Sequence, residues 1–162
     1  MEGKSAKSSA VIVSQLMGPQ DVNNAGNVHG GVIMKIIDST AGVVATRHAR
    51  STCVTASIDR LDFLYPVYAG DLVTFKASIN FVGKKSMEVG VRVETENLLT
   101  GEIRHTSSAY LTYVSLDKSG RPRELPALIL ESDEEKRRNK EAQERRKVRL
   151  AERLIEKEKE NS

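Results

Sequence analysis

The chain has 162 residues, 39% hydrophobic and 29% charged, a balance that suits one folded domain with a single core. Its 25 Lys and Arg nearly cancel its 22 Asp and Glu, so the net charge of +3 excludes a strongly basic nucleic-acid binder. One cysteine, Cys53, excludes an intramolecular disulfide and a cysteine-built zinc site, and no apolar run approaches the roughly 18 residues of a membrane span.

The three histidines, His29, His48 and His105, show no metal-ligand spacing, so no metal or cofactor is expected. The apolar run Ala10–Val13 is too short for a signal-peptide core, and a cytoplasmic protein is expected. Residues 1–9 are small and polar and read as a flexible arm, 10–130 as the domain proper, and 131–162 as a charged helix. Val11–Met17 reads as a short strand stopped by Gly18-Pro19. Residues 20–29 are mostly turn formers and run directly into Gly30-Gly31.

From Val32 to about Arg47 the chain is apolar on nearly every face of a helix. A surface helix carries a polar stripe, so this one is expected to be buried all round, with other structure wrapped about it. The later segments supply that structure. Cys53–Phe63 is β-prone and closed by Tyr65-Pro66. Val73, Phe75, Ala77, Ile79 and Phe81 alternate with polar residues, as do Met87, Val89, Val91 and Val93, the period of half-buried antiparallel strands. Gly83-Lys84-Lys85-Ser86 is the hairpin between them, and Leu99-Thr100-Gly101 turns into a last strand, Ile103–Leu116. The expected fold class is α+β: an antiparallel sheet curled around one buried helix.

The tail holds 11 basic and 10 acidic residues from Glu131 to Ser162, a mixture that predicts a solvated helix about 40 Å long. Ser132 is its expected N-cap, with Glu135 completing a capping box. Glu134/Arg138 and Glu141/Arg145 are i,i+4 pairs in the favourable order. Its apolar stripe, Val148, Ala151, Leu154 and Ile155, is expected to dock on the body or on a neighbouring subunit.

Asp38 is the odd residue of the apolar helix, because a buried carboxylate costs several kcal/mol unless paired or used. Gly31 lies seven residues earlier, about two turns, so both sit on one face with Asp38 about 10 Å deeper. Free N–H groups at the helix start favour negative charge, and two glycines let a carbonyl approach the backbone. An oxyanion donor and a carboxylate are parts of an acyl-transfer site. On the residues alone, a second reading stays open, in which Asp38 pairs with Lys35, Arg47 or another subunit's cation. Cys53, His48 and His105 read as structural, while His29 either shapes the oxyanion site or caps the loop by hydrogen bonding.

Gly26-Asn27-Val28-His29-Gly30-Gly31, followed by Met34-Lys35, Asp38 and Ala41-Gly42, resembles the signature of hotdog-fold acyl-CoA thioesterases. Val54-Thr55-Ala56-Ser57, Gly70-Asp71-Leu72, Thr112-Tyr113-Val114 and Gly120-Arg121-Pro122 extend the resemblance over residues 11–150. The branch it points to contains bacterial acyl-CoA hydrolases and the brain-type cytosolic acyl-CoA hydrolase. The resemblance implies one hotdog domain that dimerises sheet edge to sheet edge, commonly as a trimer of dimers. It implies hydrolysis of acyl-CoA to acid and coenzyme A, with sites at the dimer interface. Asp38 is then the general base or nucleophile, and Asn27 of the other subunit sits opposite it. Gly30 or Gly31 supplies the oxyanion-hole N–H. Thr55 and Ser57 are expected along the pantetheine channel, and Gly83, Lys84, Lys85 and Ser86 near the coenzyme A phosphates, with Arg60 and Arg121 behind them. Two alternatives are a non-catalytic acyl-CoA-sensing module, disfavoured by the Asn27/Asp38 pair, and a hotdog enoyl-CoA hydratase. For the hydratase, Asp21 and Asn23 lie too far from His29.

Overall fold

A computed structural model describes residues 1–162. Its strands are β1 (Lys4–Ser5), β2 (Val11–Leu16), β3 (Thr52–Asp59), β4 (Leu72–Val82), β5 (Ser86–Glu96), β6 (Ile103–Leu116) and β7 (Leu128–Ile129). The α-helices are α1 (Gly30–Ala49) and α2 (Asp133–Glu160). Five strands make one antiparallel sheet in the order β2-β4-β5-β6-β3, the α+β arrangement expected. The Gly83 N–H closes the β4–β5 hairpin on the Ser86 carbonyl at 2.8 Å. Gly101 and Gly120, with φ of 77° and 76°, supply the left-handed backbone that the turns before and after β6 require.

Alternation in the strands sorts their side chains between the two faces of the sheet. Phe75, Ala77 and Ile79 of β4, Met87, Val89, Val91 and Val93 of β5, and Leu111 of β6 pack beneath Ile33, Ile37, Ala41 and Val44 of α1. Each large aliphatic side chain fully buried there contributes about 1.5–3 kcal/mol. Only one face of α1 is covered, which corrects the expectation of a helix buried all round. Five strands cannot encircle it, and Met34 and Val43 on its outer side stay 41% and 43% exposed.

The opening residues also depart from expectation, being docked rather than frayed. β1 pairs in parallel with β7, Ala6 and Ser9 are buried, and the Lys4 ammonium donates to the His48 carbonyl at 2.8 Å. A two-residue strand made by long-range pairing has no periodicity to announce it.

α2 lies across the sheet face opposite α1. The Asn139 amide donates to the Asn80 carbonyl (3.0 Å), Arg145 chelates both carboxylate oxygens of Glu88 (3.1 and 2.7 Å), and Arg149 meets Asp59 (2.6 Å). The Arg145 guanidinium also stacks 3.7 Å above the Tyr110 ring. Ser132 caps the helix by accepting from the Glu135 N–H at 3.1 Å. The Glu135 carboxylate, however, takes the Glu131 N–H, one residue away from a regular capping box. Glu134 and Arg138 pair as expected at 2.7 Å, but Arg145 is held by Glu88, and Glu141 pairs with Arg137 instead. The stripe of Val148, Ala151, Leu154 and Ile155 does not dock on the body; all four are exposed. Neither helix is long and apolar enough to cross a membrane.

Candidate active site

Asp38 is half-buried on α1, more open than an all-apolar helix would make it. Its Oδ1 accepts two hydroxyl hydrogen bonds, from Thr55 Oγ1 at 2.7 Å and from the Tyr113 hydroxyl at 2.6 Å. The Tyr113 hydroxyl also lies 2.7 Å from the Asp38 carbonyl oxygen. Oδ2 has no partner. Neither Lys35 nor Arg47 pairs with Asp38; the Arg47 guanidinium donates to the Ala10 carbonyl at 3.3 Å. The intramolecular ion-pair reading of Asp38 is thereby set aside.

The two donors come from adjacent strands. Thr55 stands opposite Tyr113 in the β3–β6 register, and a bulge between Thr55 and Ser57 then places Ser57 opposite Thr112. Neighbouring residues of β6 face opposite sides of the sheet, so Thr55 is kept with Asp38 while Ser57 is turned away from it. The Ser57 hydroxyl is buried there with no partner. Burial pushes the Tyr113 phenol well above its ordinary value, and the Asp38 carboxylate beside it pushes the same way. The hydroxyl is therefore a standing donor. Burial likewise pushes the Cys53 thiol up, the state of an inert core thiol.

The N-terminus of α1 begins after a loop built around Asn23. Its Oδ1 accepts from the Ala25 and Asn27 N–H groups at 2.9 and 3.2 Å, and its own N–H donates to the Asn27 carbonyl at 2.7 Å. With the oxygen so occupied, the Asn23 amide nitrogen is the end left free. Asn27 bridges backbone to Tyr68. Both asparagines line a cavity of about 290 Å³ with Gly30, Phe63 and Pro66. The amides of Gly30 and Gly31 donate to nothing within the chain. A methyl group added at Gly30 would come within 3.3 Å of the Phe63 ring, whereas one at Gly31 would meet nothing within 4 Å. Gly31 is thus the open approach to the helix start. His29 enters only through its backbone, its N–H donating to the Asp21 carbonyl at 2.8 Å and its carbonyl accepting from Val32. The imidazole caps nothing, which corrects that reading of His29.

The expected phosphate cluster is only partly assembled. Gly83 and Ser86 form the hairpin, Lys85 is exposed, and Lys84 lies 3.5 Å from Glu124. Arg60 does not stand behind them. It belongs to a cavity of about 670 Å³ beneath α2, with His105, Arg145 and Arg149.

Residues 25–102 match the Thioesterase superfamily. An uncharacterized acyl-CoA thioester hydrolase of Bacillus subtilis, YkhA, is 40% identical over 83% of this chain and 78% of its own length. This chain belongs to the thioesterase superfamily. Among solved structures, an apo-hexameric acyl-CoA thioesterase superposes with a TM-score of 0.90 at 37% identity, covering 94% of this chain and 97% of that one. A Staphylococcus aureus acyl-CoA hydrolase, solved with butyryl coenzyme A, coenzyme A and coenzyme A disulfide, superposes at 0.89 with 34% identity, covering 96% and 94%. The fold of this superfamily member is therefore the hotdog that its motifs implied. Structures of the S. aureus protein include single-alanine variants of an aspartate, an asparagine 15 positions before it and a threonine 17 positions after it.

Sequence reasoning gave no acyl-transfer role to two residues found here, Asn23 of the cavity at the helix start and Tyr113, a donor to Asp38. The first hides among turn formers, and the second reads as one more inward residue of a strand.

Proposed function

We propose that the chain hydrolyses the thioester of acyl-CoA to a free carboxylic acid and coenzyme A, at a site completed by two copies. The observation that carries this reading is Asp38 Oδ2, an unpartnered carboxylate oxygen on a helix whose start presents the free amide of Gly31. The relatives named above support the substrate class. The spacing of the S. aureus variants falls in this chain on Asn23, Asp38 and Thr55. That match favours Asn23 over Asn27 as the asparagine opposite the carboxylate.

Distance supplies the argument for two copies. Gly31 and Asp38 of one chain stand about 10 Å apart along the helix, too far to act on one carbonyl. Two helices antiparallel about a two-fold axis bring the start of each beside the Asp38 of the other. The thioester oxygen then accepts from the Gly31 N–H and from the Asn23 amide nitrogen of one protomer. Asp38 of its partner serves as general base or nucleophile at the carbonyl carbon. As base, it takes a proton from water while the water oxygen bonds to carbon. Collapse of the tetrahedral intermediate breaks the C–S bond, and the coenzyme A thiolate recovers the proton. The His29 imidazole has no hydrogen bond within the chain, and the residue enters this oxyanion site through its backbone. Lys84, Lys85 and Ser86 stand toward the nucleotide end of coenzyme A, and Thr55 holds the carboxylate.

The test is release of free thiol from a panel of acyl-CoAs of increasing chain length, by wild type and Asp38→Asn. Release that disappears in the variant, with its assembly intact, is the expected result. No release from any acyl-CoA, with binding retained, would favour the sensing module instead.

A further inference from the structure

We infer that Tyr113 is a positioning residue for this hydrolysis: together with Thr55 it holds Oδ1 of Asp38 so that Oδ2 is the oxygen presented to the reacting atoms. The inference rests on the reading of Asp38 above and adds to it which oxygen reacts and what selects it. A carboxylate on a helix surface rotates freely about its last bond, which exchanges its two oxygens. Here the rotation is stopped on one side. Thr55 and Tyr113 both donate to the same oxygen, from strands fixed in register by the β3–β6 ladder. Donors on an oxygen lower its availability as a base, so two on Oδ1 and none on Oδ2 make the oxygens chemically unequal. Tyr113 adds a second constraint, since its hydroxyl also reaches the Asp38 carbonyl oxygen at 2.7 Å and so registers side chain and helix backbone together. Any buried tyrosine hydroxyl needs an acceptor; what marks Tyr113 is that its acceptor is the same carboxylate oxygen that Thr55 holds, while its ring is buried in the core.

Tyr113→Phe removes the hydroxyl and leaves the ring. Thiol release from butyryl-CoA is to be followed for wild type, Tyr113→Phe, Thr55→Val, the double variant and Asp38→Asn, with the thermal midpoint and oligomeric state of each. The expected result for Tyr113→Phe is a fall in kcat of about 10- to 100-fold, with KM and inhibition by free coenzyme A unmoved and the midpoint held. The double variant is expected to lose more than the product of the single losses, because either donor alone still restrains the carboxylate. Wild-type kcat in Tyr113→Phe, alongside a dead Asp38→Asn, would overturn the role of Tyr113 and leave the hydrolase reading intact. A raised KM with a lowered midpoint would make Tyr113 structural and overturn the role as well. A wild type inert on every acyl-CoA would overturn both readings.

Discussion

Asp38 and Asn23, the two halves of the proposed site, differ sharply when seen as single residues. A carboxylate in the middle of an apolar helix is conspicuous in sequence, and its spacing from Gly31 follows from helix geometry alone. Nothing comparable separates Asn23 from Asn27, because both are turn formers in one loop. What distinguishes them is the direction of an amide, fixed by the N–H groups of Ala25 and Asn27 that hold the Asn23 oxygen. Asn23→Ala is therefore expected to lower kcat by about 100-fold or more, the scale of losing one oxyanion donor. Asn27→Ala, tested in the same thiol-release assay, is expected to lose less than about tenfold. His48 carries a separate prediction. It is fully buried, its Nε2 lies 2.7 Å from the Pro126 carbonyl oxygen, and its Nδ1 has no partner. Burial holds its pKa below the ordinary 6.5, and the nearby Lys4 adds to the effect. Below pH 6.5 the unfolded chain binds a proton that the folded chain refuses, so stability falls as pH drops through that region. Urea unfolding at pH 7.5 and 5.5 is expected to show that fall in wild type and a smaller one in His48→Gln.

At the scale of elements, the long strands and both α-helices announced themselves by their own patterns, while the partners they chose did not. Ile103–Leu116 begins and ends where its alternation and flanking glycines place it, and Ser132 caps α2 as its sequence requires. Which sheet residue Arg145 would find is a matter of how α2 crosses the sheet. Local spacing offers Glu141, and the fold supplies Glu88, buried and already holding the Asn80 amide at 3.0 Å. Breaking that pair by Glu88→Ala leaves Arg145 without its buried counter-charge and is expected to cost about 2–4 kcal/mol in urea unfolding. Glu134→Ala, which breaks only the exposed pair with Arg138, is expected to cost less than about 0.5 kcal/mol. Equal losses would mean that α2 is not clamped through Glu88.

For the whole molecule, the mismatch between sequence and single chain is itself informative. α1 is apolar on nearly every face, yet the sheet covers one, and the residues left outside include Met34 and Val43 beside Lys35 and Ser39. Apolar residues left outside by one chain support the proposed assembly, and the roughly 10 Å between Gly31 and Asp38 supports it from the chemistry. Val43→Glu, which places a charge on that outer side, is expected to dissociate the assembly in sedimentation and to abolish thiol release with the monomer still folded. The hotdog layers were legible because alternation and helix patterning are local. A second copy was expected from the family resemblance alone, because residue patterning by itself does not distinguish a core face from a face that a neighbour covers.

The shared site is tested most directly by mixing two inactive variants, Asn23→Ala and Asp38→Ala, after each has been dissociated, and letting them reassemble together. If each site takes its asparagine from one protomer and its aspartate from the other, every mixed dimer regains one intact site. Random pairing then restores about a quarter of wild-type thiol release. If both residues of a site come from the same chain, no mixture contains an intact site, and activity that stays at the level of the separate variants would contradict the two-copy account.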